Sequence, residues 1–339
     1  MEITSNGYHT SEIKTNGYHT SEINTNGYNT FQINTNGYHT SEINTRELIK
    51  VALLGFPCDI GVERNGIAVG GKRGPAAVRK KIGDTSNPWC YYQLGPIFNV
   101  EHGIDMTHID LTDHGDVDIS NDLNLNHKHL TDKVQALCDQ GYICIIVGGG
   151  RDQSYCNAKG LMNSRKCGDI GVVNIDAHMD VDQVRKNNFV HHGTPFRLLL
   201  EDKAFKGKFS QFASQGNQCD PDHVKYVKEK SGRIYWLSHL KKKGVTESFR
   251  EVLNWFDTKD VFVSLDIDAI QGCVCPGGWA SVRGLTAEEI LSVALEAGRH
   301  SKTRVFDISE YNPEIEETRT GWLIKNLIYY FLMGVASRN

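Results

Sequence analysis

Five apolar runs that break off at acidic or glycine-rich loops constrain this chain most: LIKVALLGF, YICIIV, DIGVVNIDAH, DVFVSLDIDAI and TRVFDISEY. Each has the length and β-branched content of a buried strand. HGIDMTHIDLTD and GRIYWLSH read as two more. Helical patterns separate them: GPAAVRKKI with Pro75 near its first turn, HLTDKVQALCDQG ending at Gly141, VTESFREVLNWF and TAEEILSVALEAG. Alternation of this kind predicts an α/β fold, a mostly parallel sheet with helices on both faces. In such sheets the chemistry sits beyond the carboxyl ends of the strands.

The first 45 residues differ in kind. NGYHTSEIKT, NGYHTSEINT, NGYNTFQINT and NGYHTSEINT repeat in tandem from Asn6, Asn16, Asn26 and Asn36. One Ile and one Tyr per unit offer too little apolar surface to offset ordering the backbone. Residues 1–45 are therefore expected to form a disordered decapeptide-repeat tail, and residues 46–339 an α/β domain. His9, His19 and His39 recur at fixed phase, but a duplicated polar tail accounts for them without a metal.

The net charge of −4, with no Lys/Arg run, argues against nucleic acid or an anionic membrane as partner. The nine cysteines include no C-x-x-C pair, so reduced thiols in a cytoplasmic protein are expected. No N-terminal signal region is visible, and no apolar run approaches the ~18 residues of a membrane span. LIYYFLMGVA is shorter than that and fits a buried helix.

Two acidic motifs end apolar strands. NIDAHMDV places Asp176, His178 and Asp180 at alternate positions, which in an extended segment share one face. SLDIDAI does the same with Asp266 and Asp268. Four carboxylates converging with one imidazole would repel one another without a cation. Hard oxygens with a single nitrogen suit Mn²⁺ or a similar divalent ion. A third motif, VGGGRDQSY, turns sharply after YICIIV and presents Arg151 where such a loop should offer a histidine. An arginine is always charged and has no lone pair to give.

From Lys50 to the C-terminus these segments resemble the arginase/agmatinase/formiminoglutamase family, the ureohydrolases, in order and spacing. GFPCDIGVERNG, the GGG loop and HGTPF are most similar to the formiminoglutamase branch; SLDIDAIQGCVCPGG and FDISEYNP match later family motifs. The resemblance implies a three-layer α/β/α arginase-like fold and two Mn²⁺ ions bridged by a hydroxide that attacks a guanidinium or formimidoyl carbon. It implies that Asp176 and Asp266 bridge both ions and that His178 and Asp268 complete one of them. The other would be completed by Asp180 and the absent histidine. It further implies a proton shuttle at His192, substrate contacts at Glu310, Arg64 and Asn65, and a homo-oligomer, for which the sequence itself carries no interface signal.

The match departs from the family in four places, one of them ETRTGWL, which stands where a Thr-Ala-rich helix start is usual. A branch of the family reads GGGNDQSY, so Arg151 replaces an asparagine there. Ala68 stands where RNGGR would place an arginine, and Gln271-Gly272 stands where an Asp-Pro is usual. Arg151 could swing out, displace one ion, or fork onto Asp180 and a neighbour and stand in for that ion's charge. The readings are a formiminoglutamase-like hydrolase with one or two Mn²⁺, a non-catalytic relative that has lost its metal pair, and a single-metal deacetylase-type hydrolase.

Overall fold

The computed structural model describes residues 47–83, 94–184, 189–279 and 282–338. The decapeptide repeats lie outside the described residues. Ten strands follow in chain order: β1 Ile49–Phe56, β2 Phe98–Asn99, β3 Ile104–Asp105, β4 Ile109–Asp116, β5 Ile143–Gly148, β6 Ile170–Ile175, β7 Lys208–Ser214, β8 Arg233–Trp236, β9 Asp260–Asp266 and β10 Thr303–Ser309. Eight of them form one sheet in the order β4-β1-β5-β10-β9-β6-β7-β8, while β2 and β3 make a small separate hairpin. Every pairing in the large sheet is parallel.

Alternate residues of the strands feed two cores. Val51, Leu53, Ile143, Ile145, Val263 and Phe306 face the helices Gly74–Ile82, Val245–Trp255, Ala287–Arg299 and Thr318–Ala336. Ala52, Leu54, Cys144, Ile146, Phe262 and Val305 face Leu123–Asp139, Gln153–Arg165 and Pro195–Glu201. Burying each large apolar side chain contributes ~1.5–3 kcal/mol, and both faces need it, which makes three layers. The LIYYFLMGVA segment lies in the buried helix Thr318–Ala336. No helix of the described residues is long and apolar enough to cross a membrane. The eight described cysteines are all free.

Three local expectations are corrected. β7, KFSQFAS, is a buried interior strand that the apolar pattern does not reveal, because Ser210, Gln211 and Ser214 break it. The helix expected from His129 begins at Leu123, where the Asp122 side chain accepts a hydrogen bond from the Asn124 N–H at 2.9 Å. Neither acidic motif stays extended. β6 ends at Ile175, before Asp176, and Asp180 has a left-handed backbone with φ 50°. β9 ends at Asp266, and Ile267–Ala269 is a 3₁₀ turn.

Topology decides where the polar ends meet. The chain fills β5 and β6 first and inserts β9 and β10 between them later. Four neighbouring parallel strands thus release the glycine loop, the two acidic motifs and Glu310 at one edge of the sheet. A gap filled late in this way is where α/β sheets hold ligands.

Candidate metal centre

The glycine loop explains its own composition. Gly149 N–H donates to the Phe56 carbonyl at 2.9 Å and Gly150 N–H to the Cys58 carbonyl at 3.0 Å, drawing the loop onto the end of β1. A Cβ on Gly149 would stand 2.2 Å from the Cys58 carbonyl oxygen, which is backbone and has little room to yield. The loop is thereby pressed inward and delivers Arg151 into the protein.

Arg151 is fully buried, at 0 % exposure. Its Nη1 donates to Ser309 Oγ at 2.9 Å and its Nη2 donates to Asn174 Oδ1. The guanidinium lies 5.3 Å from the Phe196 ring centre. Nε stands 3.4 Å from Asp180, 3.6 Å from Asp176 and 3.8 Å from Asp266, and makes no hydrogen bond. Nη1 is 3.6 Å from Asp307, whose carboxylate also accepts from Ser264 Oγ at 2.6 Å and Asn157 Nδ2 at 2.8 Å. Arg151 therefore neither swings out nor forks onto Asp180. It sits in a polar cradle with its charge against four carboxylates.

His178 lies on the other side of Asp176. Its Nδ1 is 2.8 Å from Asp268 and 3.5 Å from Asp176. The turn at the end of β9 holds Asp268 in place, its N–H donating to Asp266 Oδ1 at 2.8 Å. Two donor sets result, Asp176–His178–Asp268 and Asp176–Asp180–Asp266, each with ligand atoms within 4.8 Å of one another.

Electrostatics shows the cluster to be short of positive charge. Burial first, and the neighbouring carboxylates second, push Asp180 and Asp266 well above the ordinary carboxylate range and Asp268 to about 6. Asp176 is the exception. Burial works against its charge, but the hydrogen bond from His178 and the Arg151 guanidinium hold its pKa below the usual value. The first donor set, two hard oxygens and an imidazole with no fixed cation inside it, fits a divalent ion. The second faces Arg151 Nε and does not.

Above these groups opens a cleft of about 620 Å³ lined by Asn65, Ala68, His178, His192 and Glu310 among others. His192 Nδ1 is 3.4 Å from Glu310 and its Nε2 is 3.0 Å from the Asn65 amide. Burial opposes a charge on His192, but Glu310 outweighs it and raises the pKa above the ordinary histidine value. Glu310 accepts the Arg151 backbone N–H at 2.7 Å. Its own backbone is left-handed, φ 65°, as is that of Asp180. Non-glycine residues held this way cost ~1–3 kcal/mol each and tend to gather at functional sites. Arg64 is not part of the lining. It donates to the Val190 carbonyl at 3.0 Å and packs over Phe189.

A profile of the arginase family matches residues 49–334. The chain belongs to the arginase family. Within that family, the formimidoylglutamase of Aeromonas salmonicida is 28% identical over 277 residues, spanning 79% of this chain and 81% of that protein. The formimidoylglutamase of Ralstonia nicotianae is 27% identical over 303 residues, spanning 84% and 85%. The Trypanosoma cruzi formiminoglutamase, solved with Mn²⁺, matches with a TM-score of 0.79 at 35% identity, covering 86% of this chain and 95% of that one. The three-layer fold of this arginase-family chain is that of its structural neighbours.

Several residues of this arginase-family site were not singled out from the sequence: Asn174, Ser309, Asp307 and Phe196 around Arg151, and Asp182, Asp220 and His223 along the cleft. Asn174, Asp307 and Ser309 did leave a signal. Each is a polar residue inside an otherwise apolar strand, a position that is costly unless a partner is waiting.

Proposed function

We propose that the chain is a formiminoglutamase-type hydrolase that cleaves a C–N bond of a guanidino or formimidoyl group, with Mn²⁺ held by Asp176, His178 and Asp268. The observation that carries this reading is the convergence of those three residues at the floor of a cleft faced by His192 and Glu310. A divalent ion there would act as a Lewis acid and lower the pKa of water. Glu310, with one oxygen already accepting a backbone N–H, keeps lone pairs for the substrate's N–H groups. His192, whose ring contacts Glu310 and Asn65, would hand its proton to the departing nitrogen. Hydrolysis yields an amine with urea from a guanidino substrate, or with formamide from a formimidoyl one.

The cleft also favours one substrate charge. Outside the acidic cluster three carboxylates line it, from Asp182, Asp220 and Glu310, and no Lys or Arg is among the described lining residues. Such walls attract a cationic guanidino compound and repel a dicarboxylate. Ala68 contributes nothing to hold a carboxylate.

The test is an assay of the Mn²⁺-loaded full chain for urea or formamide release across guanidino and N-formimidoyl compounds. Turnover that vanishes in Asp268→Ala is the expected outcome. The buried Arg151 supports a second reading, a non-catalytic member of the family, and absence of turnover on every compound despite bound Mn²⁺ would select it. Release of acetate from an acetylated amine, with no urea or formamide, would select a single-metal deacetylase-type reading.

A further inference from the structure

We infer that the Arg151 guanidinium is a built-in replacement for a second cation, so that the centre takes one divalent ion per chain and takes it at Asp176–His178–Asp268. This rests on the reading of those three residues as an ion site. Two donor sets share Asp176, but they are not equivalent. In the set with Asp180 and Asp266 all three carboxylates have the Arg151 charge against them, at 3.4–3.8 Å, whereas in the other set only the shared Asp176 does.

The way Arg151 is held separates this role from that of an ordinary ion pair. Its hydrogen bonds go behind the cluster, from Nη1 to Ser309 and from Nη2 to Asn174, with Phe196 against the guanidinium. Nε, turned toward the three carboxylates, makes no hydrogen bond and contributes charge alone. Asn174 is itself fixed, its Nδ2 donating to Gln211 Oε1 at 2.9 Å, and the Gln211 amide donates to the Met179 carbonyl at 2.6 Å. Swinging the side chain out would break both guanidinium bonds and strand Asp307 at the base of the cradle without its cation. A divalent ion on the same three oxygens would meet that fixed charge in a site where repulsion is several-fold stronger than in water. The cradle therefore excludes an ion from one set while leaving the other open.

The experiment loads the full chain with Mn²⁺, removes the excess under reducing conditions, and reads metal per chain by elemental analysis and Mn²⁺ coupling by electron paramagnetic resonance. One ion per chain with the spectrum of an isolated Mn²⁺ is expected. Arg151→His should move the content toward two ions with an exchange-coupled spectrum. Two coupled ions in the unaltered chain would overturn the inference, and no ion at all would instead overturn the hydrolase reading beneath it. Should Arg151→His fail to fold, two further variants carry the test. Asp268→Asn should weaken Mn²⁺ binding by more than about a hundredfold, beyond the effect of losing a residue that only orients a ligand. Asp180→Asn, which faces Arg151, should change it by less than about tenfold. Equal losses in the two variants would also overturn the inference.

Discussion

Arg151 carries a full charge at zero exposure, and that is stable only because carboxylates surround it. Its pKa illustrates the balance: burial pulls it down, but Asp176, Asp266, Asp307 and Asp180 more than restore it. Removing one partner of such a buried arrangement strands the others. Arg151→Met is accordingly expected to destabilise the metal-free protein by about 3–5 kcal/mol, with added Mn²⁺ recovering part of the loss. Urea denaturation with and without Mn²⁺ measures both; a loss below ~1 kcal/mol would show that the carboxylates do not depend on the guanidinium. The sequence made the substitution visible, because a glycine loop ending in arginine is chemically odd for a metal site. Its consequence was not visible. The partners Asn174, Asp307 and Ser309 lie on strands far apart in the chain, and only the late insertion of β9 and β10 brings them together.

At the scale of elements, strands read best where burial made them continuously apolar, as in β1, β5 and β9. β7 escaped because buried Gln211, which donates to the Met179 carbonyl, and two buried serines interrupt its apolar run. The acidic motifs were read as extended and are turns, yet their carboxylates converge all the same, since the strand ends rather than the pleat aim them. One helix is pinned to the glycine loop by a buried contact: His127 Nε2, on Leu123–Asp139, is 2.6 Å from Asp152. Burial disfavours the charged imidazole, but the Cys156 sulfur and the Asp152 carboxylate raise its pKa to about 10. A pKa raised on folding gives stability that is complete below the unfolded value of about 6.5 and fades as pH rises through the folded one. Between about pH 6 and pH 10 the unaltered chain should therefore lose more stability than His127→Gln, by about 1.5–3 kcal/mol for a charge-assisted bond. Parallel pH dependences in the two proteins, followed by urea midpoints, would remove this contact from the account.

For the whole molecule, alternating strands and helices sufficed to predict an α/β sheet covered on both faces, because that patterning can bury both faces of a parallel sheet in few other ways. The electrostatic character of the cleft was not legible. Its acidic walls draw on Asp182, Asp220 and Glu310, residues far apart in the chain, and are a property of the assembled edge. They lead to a prediction about substrates: kcat/KM for a guanidino amine should exceed that for a formimidoyl dicarboxylate, and the difference should shrink as salt screens the field. A preference for the dicarboxylate that persists at high salt would contradict it. The inferred one-ion centre takes its other cation from the protein itself. Its most direct test is anomalous scattering at the manganese edge from crystals of the full chain grown with Mn²⁺. One peak is expected, between Asp176, His178 and Asp268, with the Arg151 guanidinium in density against Asn174 and Ser309. Two peaks, or a peak among Asp176, Asp180 and Asp266 with Arg151 turned away, would contradict it.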